Sequence, residues 1–145
     1  MRIAVLNGPN LNLLGTREPE VYGRASLAEV EQQVRAEAAT LGVEISWLQT
    51  NHEGAFVDAV QGLRGQADGA LVNAAAFTHT SLAIRDAFLA VRVPFVEVHL
   101  SNIFARDPER RHSRLADLAV GIVAGFGPTG YLLGLRALVQ KLRGT

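Results

Sequence analysis

Arg17 and Tyr22 stand five positions apart in the segment Asn7 to Gly23, which holds three glycines, two prolines and three asparagines in seventeen residues. That composition argues against regular structure and leaves a cation and a phenol free to meet. A phenol, with an ordinary pKa of about 10, serves as a base near neutrality only when its phenolate is stabilised, which a neighbouring guanidinium does. Glu18 and Glu20 oppose this unless they point outward. His99 closes an apolar run, and an imidazole, titrating near about 6.5, can give up a proton near neutral pH. Asn7 and Asn10 follow one apolar run, Asn73 another, and His99, Ser101 and Asn102 a third. Together they form a hydrogen-bonding set for a small hydroxylated molecule. Each has a plainer reading too: a tyrosine with a wet hydroxyl, a strand-end histidine bonded to a carbonyl, an asparagine that only forms a turn.

The elements that must position these groups are read from periodicity. Short apolar runs at Ile3-Leu6, Val43-Leu48, Ala70-Val72, Phe95-Val98 and Leu118-Ala124 alternate with segments of helical period, the pattern of βαβ units around a parallel sheet. Ser26 and Glu29 make a capping box ahead of a helix with Leu27, Val30, Val34 and Leu41 on one face. Phe56, Val60 and Leu63 mark a second helix, a third is expected from about Thr80 to Val91, and the last from about Thr129 to Leu142 with Tyr131, Leu135, Leu138 and Leu142 on one stripe. The expected fold is a flavodoxin-like, doubly wound three-layer α/β sandwich with a five-stranded parallel sheet. A single catalytic domain over residues 1–145 is expected. In such sheets ligands bind beyond the carboxyl ends of the strands, where the long Asn7 to Gly23 loop would lie as a lid.

The 145-residue chain balances 14 basic against 14 acidic side chains, so no overall basic field draws it to nucleic acid or an anionic membrane. The basic set is almost entirely arginine, with Lys141 the single lysine; arginine suits bidentate carboxylate recognition, and Schiff-base chemistry has only Lys141 to use. Without cysteine there is neither disulfide nor thiolate chemistry. No apolar run reaches the length of a signal peptide or membrane span, and the expected location is cytoplasmic. Arg106, Arg110, Arg111 and Arg114 crowd nine residues between the fourth and fifth apolar runs. They read either as a solvated loop or as a clamp on a carboxylate.

Other features weigh less. Thr78, His79, Thr80 and Ser81 offer hydroxyls to cap the third helix, and Asp86 would pair most simply with Arg85 or with a neighbouring subunit. His52 and Glu53 lack the spacing of a metal site, and no metal is expected. Gly125, Gly127 and Gly130 satisfy a dinucleotide-binding pattern, but only 15 residues follow and Pro128 removes a donor. A turn that packs the terminal helix is the better account.

Taken together, Leu6 to Gly15 with Arg17, Glu18, Tyr22 and Gly23, then Gln49 to Gly54, Thr78 to Ser81, and Glu97 to Asn102, closely resemble type II 3-dehydroquinate dehydratase across nearly the whole chain. The resemblance implies cofactor-free anti elimination of water from 3-dehydroquinate through an enolate, giving 3-dehydroshikimate in the shikimate pathway of aromatic amino acid biosynthesis. It implies Tyr22 as base, Arg17 as its cationic support, His99 as proton donor to the leaving hydroxyl, and Asn10 as a dipole positioning the water or enolate oxygen. Asn73, His79, the backbone at Leu100, Ser101 and Arg110 would bind substrate hydroxyls and carboxylate. Asp86 matches a position that reaches a neighbouring subunit's site, within trimers grouped as a homododecamer. The chain departs from the family at Ala74, Ala75, Ala76 and Phe77, where a Pro-Gly or similar pair and a tyrosine are usual, at Glu109, and at Phe104. Two other readings stay open: a non-catalytic small-anion binding module, and a flavin or nucleotide protein of the same fold.

Overall fold

The computed structural model describes residues 1–16 and 18–144. Five strands, β1 (Arg2–Asn7), β2 (Glu44–Gln49), β3 (Gly69–Asn73), β4 (Phe95–His99) and β5 (Gly121–Ala124), form one parallel sheet in the order β2-β1-β3-β4-β5. Parallel neighbours need crossovers: α1 (Pro19–Tyr22) and α2 (Leu27–Leu41) lie between β1 and β2, α3 (Glu53–Gln61) between β2 and β3, α4 (Phe77–Thr80) and α5 (Leu82–Val91) between β3 and β4, and two 3-10 turns between β4 and β5, while α6 (Thr129–Leu142) follows the last strand. β3 and β4 are buried along their whole length, which explains their nearly unbroken apolar sequence.

The alternation of side chains along each strand divides the interior into two cores. Val5, Leu71 and Val98 face Val30 and Val34 of α2 and Leu135 and Leu138 of α6, whereas Leu6, Val72 and Phe95 face Phe56 and Val60 of α3 and Ile84 and Phe88 of α5. Each fully buried side chain of this size stabilises the fold by about 1.5–3 kcal/mol. α6 approaches the sheet closely at Gly134, where a Cβ would come within 3.2 Å of a Val98 methyl.

The doubly wound reading holds, with local differences. The fifth strand is shorter than its apolar run, because Leu118 and Ala119 turn back to pack on the α3/α5 core before pairing begins at Gly121. The third helix is found as α5, and a separate turn, α4, precedes it: Ser81 leaves helical geometry at ψ 100°, ends α4, and caps α5 by accepting the Ile84 amide at 2.9 Å. Leu63 lies beyond α3 in the turn that follows Gly62, yet remains buried. The Asn7 to Gly23 loop holds a 3-10 turn at Leu11–Leu13 and the single helical turn α1. Proline at the first position of α1 starts it without losing a hydrogen bond.

Candidate active site

The carboxyl ends of β1, β2 and β3 arrive in register, with Asn7 opposite both Gln49 and Asn73. The chain leaves β1 through Gly8, whose amide donates to the Asn73 carbonyl at 2.8 Å; a Cβ there would lie 2.3 Å from the Ala74 oxygen. Only glycine permits that crossing. Gln49 Nε2 donates to the Gly8 carbonyl at 3.1 Å, and Asn51 Oδ1 accepts the Asn10 amide at 2.9 Å. The end of β2 thus braces Asn10, which sits at φ 67°, a left-handed conformation that asparagine tolerates better than most residues.

On β4, Glu97 and His99 are two residues apart and so point to the same face of the sheet. Both are buried, and His99 Nε2 lies 2.7 Å from Glu97 Oε2. Ser113 Oγ donates to Glu97 Oε1 at 2.7 Å while accepting the Leu115 and Ala116 amides. A carboxylate held this way accepts from Nε2 and leaves Nδ1 as the imidazole's remaining polar atom for the cavity. The His79 ring lies 6.4 Å from that of His99, nearly parallel to it. Its Nδ1 faces the His112 carbonyl at 2.8 Å, and since a carbonyl only accepts, Nδ1 carries the proton. Burial holds His79 below its ordinary pKa, the His112 bond opposes this, and His99 and Arg110 add to the lowering. The neutral ring therefore offers Nε2 as an acceptor.

Tyr22, in α1, joins these groups across a cavity of about 630 Å³ that includes its open mouth. Gly15 at φ 87° and Gly23 at φ 86° bracket the segment that carries it, and a Cβ on Gly15 would come within 3.0 Å of the Arg24 carbonyl, so the segment has a narrow neck. The guanidinium of Arg106 stands over the Tyr22 ring, 5.2 Å from its centre, and extends Nη1 to 3.5 Å from Ser101 Oγ. Arg110 also lines the cavity, with its Nε 3.0 Å from Asp107 Oδ1.

Asn10, Tyr22, Asn73, His79, His99, Leu100, Ser101 and Arg110, all singled out from sequence, line this one cavity. Arg17 lies outside the described residues. Asp86 does not line the cavity; it is exposed on α5. Arg85 engages Asp117 directly, through Nη1 and Nη2 at 2.6 and 2.9 Å, and Asp86 acts on it through its charge alone. Arg106, Glu97 and Ser113 were not chosen as site residues from the sequence. Arg106 carried no signal apart from its arginine-rich segment, but strand alternation pairs Glu97 with His99. The glycine-patterned turn has its donors occupied: the Gly125 and Gly127 amides donate to the His99 and Leu100 carbonyls, tying α6 to the end of β4.

The model of the class II dehydroquinase family matches residues 1–139. The chain belongs to that family. It is 58% identical over 142 residues to 3-dehydroquinate dehydratase of Gemmatimonas aurantiaca, covering 98% of this chain and 93% of that one. It is 54% identical over 140 residues to the protein of the same name from Yersinia pestis, covering 97% and 93%. The crystal structure of type II dehydroquinase from Butyrivibrio crossotus superposes with a TM-score of 0.93 at 36% identity, covering 95% of this chain and 97% of that one. The type II dehydroquinase of Propionibacterium acnes gives 0.91 at 35% identity, with 96% of each chain covered.

The departures from the usual dehydroquinase pattern now have locations. Phe104 is exposed in the 3-10 turn Ile103–Ala105, and Glu109 is exposed in the turn Pro108–Arg110; neither lines the cavity. Ala75 does line it, and at φ 51° holds a left-handed conformation that suits glycine better. Phe77 packs into the α3/α5 core.

Proposed function

We propose that this class II dehydroquinase is a 3-dehydroquinate dehydratase of the shikimate pathway, with Tyr22 as its base and His99 as its acid. The observation that carries the assignment of roles is that a phenol under a guanidinium and an imidazole backed by a buried carboxylate line one cavity. The Tyr22 oxygen takes the proton from the carbon alpha to the ketone, and the C–H electron pair moves into an enolate. Arg106 is the described cation placed to stabilise the charge on Tyr22; Arg17 is proposed as a second. Collapse of the enolate restores the ketone and forms the adjacent double bond as the beta carbon–oxygen bond breaks. The departing oxygen takes the proton of His99 and leaves as water. Glu97 offsets the charge of the imidazolium while both ring nitrogens are protonated, before Nδ1 gives up its proton.

Asn10 is assigned to the enolate oxygen or leaving water, as a dipole fixed before charge develops. Asn73, neutral His79, the backbone at Leu100 and Ser101 are assigned to substrate hydroxyls, and Arg110 to the carboxylate. The elimination needs neither a metal nor a cofactor, because the ketone already acidifies the proton removed.

The site is proposed to be completed by copies of the same chain, in a dodecamer built from trimers. Leu82, Asp86 and Leu89 lie at i, i+4 and i+7 on α5, and both leucines are about half exposed, at 54% and 50%. An apolar stripe with a carboxylate at its centre suits a subunit contact that sends Asp86 toward a neighbour's cavity. Among the described residues no helix is long and apolar enough to cross a membrane; the proposed location is the cytoplasm.

The assignment is tested with substrate carrying deuterium at one of its two diastereotopic alpha positions. Anti elimination should remove only the label opposite the departing hydroxyl. Loss of the other label, or of both equally, contradicts the placement of base and acid on opposite sides of the substrate.

A further inference from the structure

Tyr131, in the first turn of α6, is fully buried, and its ring lies 6.1 Å from that of Trp47 on β2. Its hydroxyl donates to Asn7 Oδ1 at 2.7 Å and accepts from Asn73 Nδ2 at 2.9 Å. At the far end, Asn7 Nδ2 donates to the Leu48 carbonyl at 3.0 Å. A carbonyl can only accept, so the Asn7 amide must turn its NH2 toward Leu48 and its oxygen toward Tyr131. The phenol has one proton, which is therefore committed to Asn7, and its lone pair is left for the NH2 of Asn73. That leaves the Asn73 oxygen facing the Ala75 amide, which donates to it at 3.2 Å. One backbone carbonyl on β2 thus sets the direction of every bond as far as the turn after β3.

Resting on the dehydratase reading, we infer that the Tyr131 hydroxyl is a positioning group that fixes the orientation of the Asn73 amide and, through it, holds the left-handed Ala75 turn that forms the cavity wall. Ala75 is not glycine, so the turn needs an external tie to keep φ at 51°. Asn73 Oδ1 supplies that tie, and Tyr131 determines that the oxygen faces the turn. Burial raises the phenol well above its ordinary pKa, although the Asn73 bond opposes this, so the hydroxyl keeps its proton and stays a donor to Asn7. Tyr131 touches no reacting atom in this account; its effect is on the shape of the substrate-binding wall.

The test is steady-state kinetics with 3-dehydroquinate on the unaltered protein, Tyr131→Phe, Ala75→Gly and the double variant. Tyr131→Phe keeps the ring, so the emission of Trp47, the single tryptophan, should be unchanged in a folded variant. KM should rise about tenfold, the scale of one lost buried hydrogen bond, while kcat stays within about threefold. In the Ala75→Gly background, where the turn no longer needs the tie, the same substitution should raise KM by less than about threefold. A lower melting temperature with KM unchanged, or a full KM increase in both backgrounds, would overturn the inference. If Tyr131→Phe does not fold, amide exchange on the unaltered protein decides: the Ala75 amide should exchange as slowly as those of β3, and fast exchange overturns the tie. Absence of turnover in the unaltered protein would instead sink the dehydratase reading, and the exchange measurement would still report on the tie.

Discussion

The Arg106 guanidinium carbon stands 5.2 Å from the centre of the Tyr22 ring, on the face of the phenol that must carry negative charge if Tyr22 is to remove a proton. Tyr22 ends α1, Arg106 follows the 3-10 turn Ile103–Ala105, and both line the cavity. A partly desolvated cation over an aromatic ring contributes about 0.5–2 kcal/mol, and more once the ring is a phenolate. Arg106→Ala should therefore lower kcat about tenfold or more, with Arg106→Lys recovering part of the loss because the charge returns without the planar fork. Initial rates at saturating substrate check this, and an unchanged kcat would remove Arg106 from the mechanism.

Glu97 is buried with both oxygens engaged, one by His99 and the other by Ser113. Glu97→Gln keeps the shape but sets an amide donor against Ser113 Oγ, which already accepts two backbone amides, or against the imidazole. The mismatch should cost about 1–3 kcal/mol in denaturant unfolding, the penalty of an unsatisfied buried polar group. It should also cut kcat about tenfold to a hundredfold by removing the charge behind the acid. Stability lost without any loss of kcat would mean that the pair is only structural.

His79 should titrate below its ordinary 6.5, because burial, less the help of the His112 carbonyl, disfavours the imidazolium. The unfolded chain then binds this proton first as pH falls. His79 consequently costs nothing above about 6.5, and stability should rise with pH across the window just below that value. A proton NMR titration of the ring measures the midpoint directly; a value at or above 6.5 contradicts the neutral acceptor assigned to it.

The exposed stripe on α5 bears on assembly. Native mass measurement should give twelve times the 15.6 kDa of the chain. Leu89→Arg, placing a charge on the stripe beside Asp86, should yield smaller species with reduced turnover. A monomer that is fully active would contradict the role given to Asp86.

How much of this was legible in the sequence depended on whether the signal was local. β3 and β4 were visible because strands buried on both faces read as nearly continuous apolar runs, broken in β4 by Glu97. Leu118 to Val120 was misread for the same reason, since apolar residues in a turn under the core carry no period that separates them from a strand. Tyr22, His99 and the asparagines stood in recognisable motifs. Tyr131 did not, because its hydroxyl serves Asn7, 124 residues away, while its ring fits an ordinary helical stripe. Among four arginines in nine residues, only the fold distinguishes Arg106 over Tyr22 from Arg111, which bonds the Arg106 carbonyl.

The central claim is chemical: Tyr22 starts the dehydration of 3-dehydroquinate. The most direct measurement follows the ultraviolet absorbance of the conjugated enone in parallel samples of the unaltered chain and Tyr22→Phe, each with calorimetric binding of the substrate and with chelator present. The unaltered chain should convert the substrate, while the variant binds it and turns over about a hundredfold to ten-thousandfold more slowly, the usual contribution of a positioned base. Binding without enone in the unaltered chain, or equal rates in the two samples, would contradict the account.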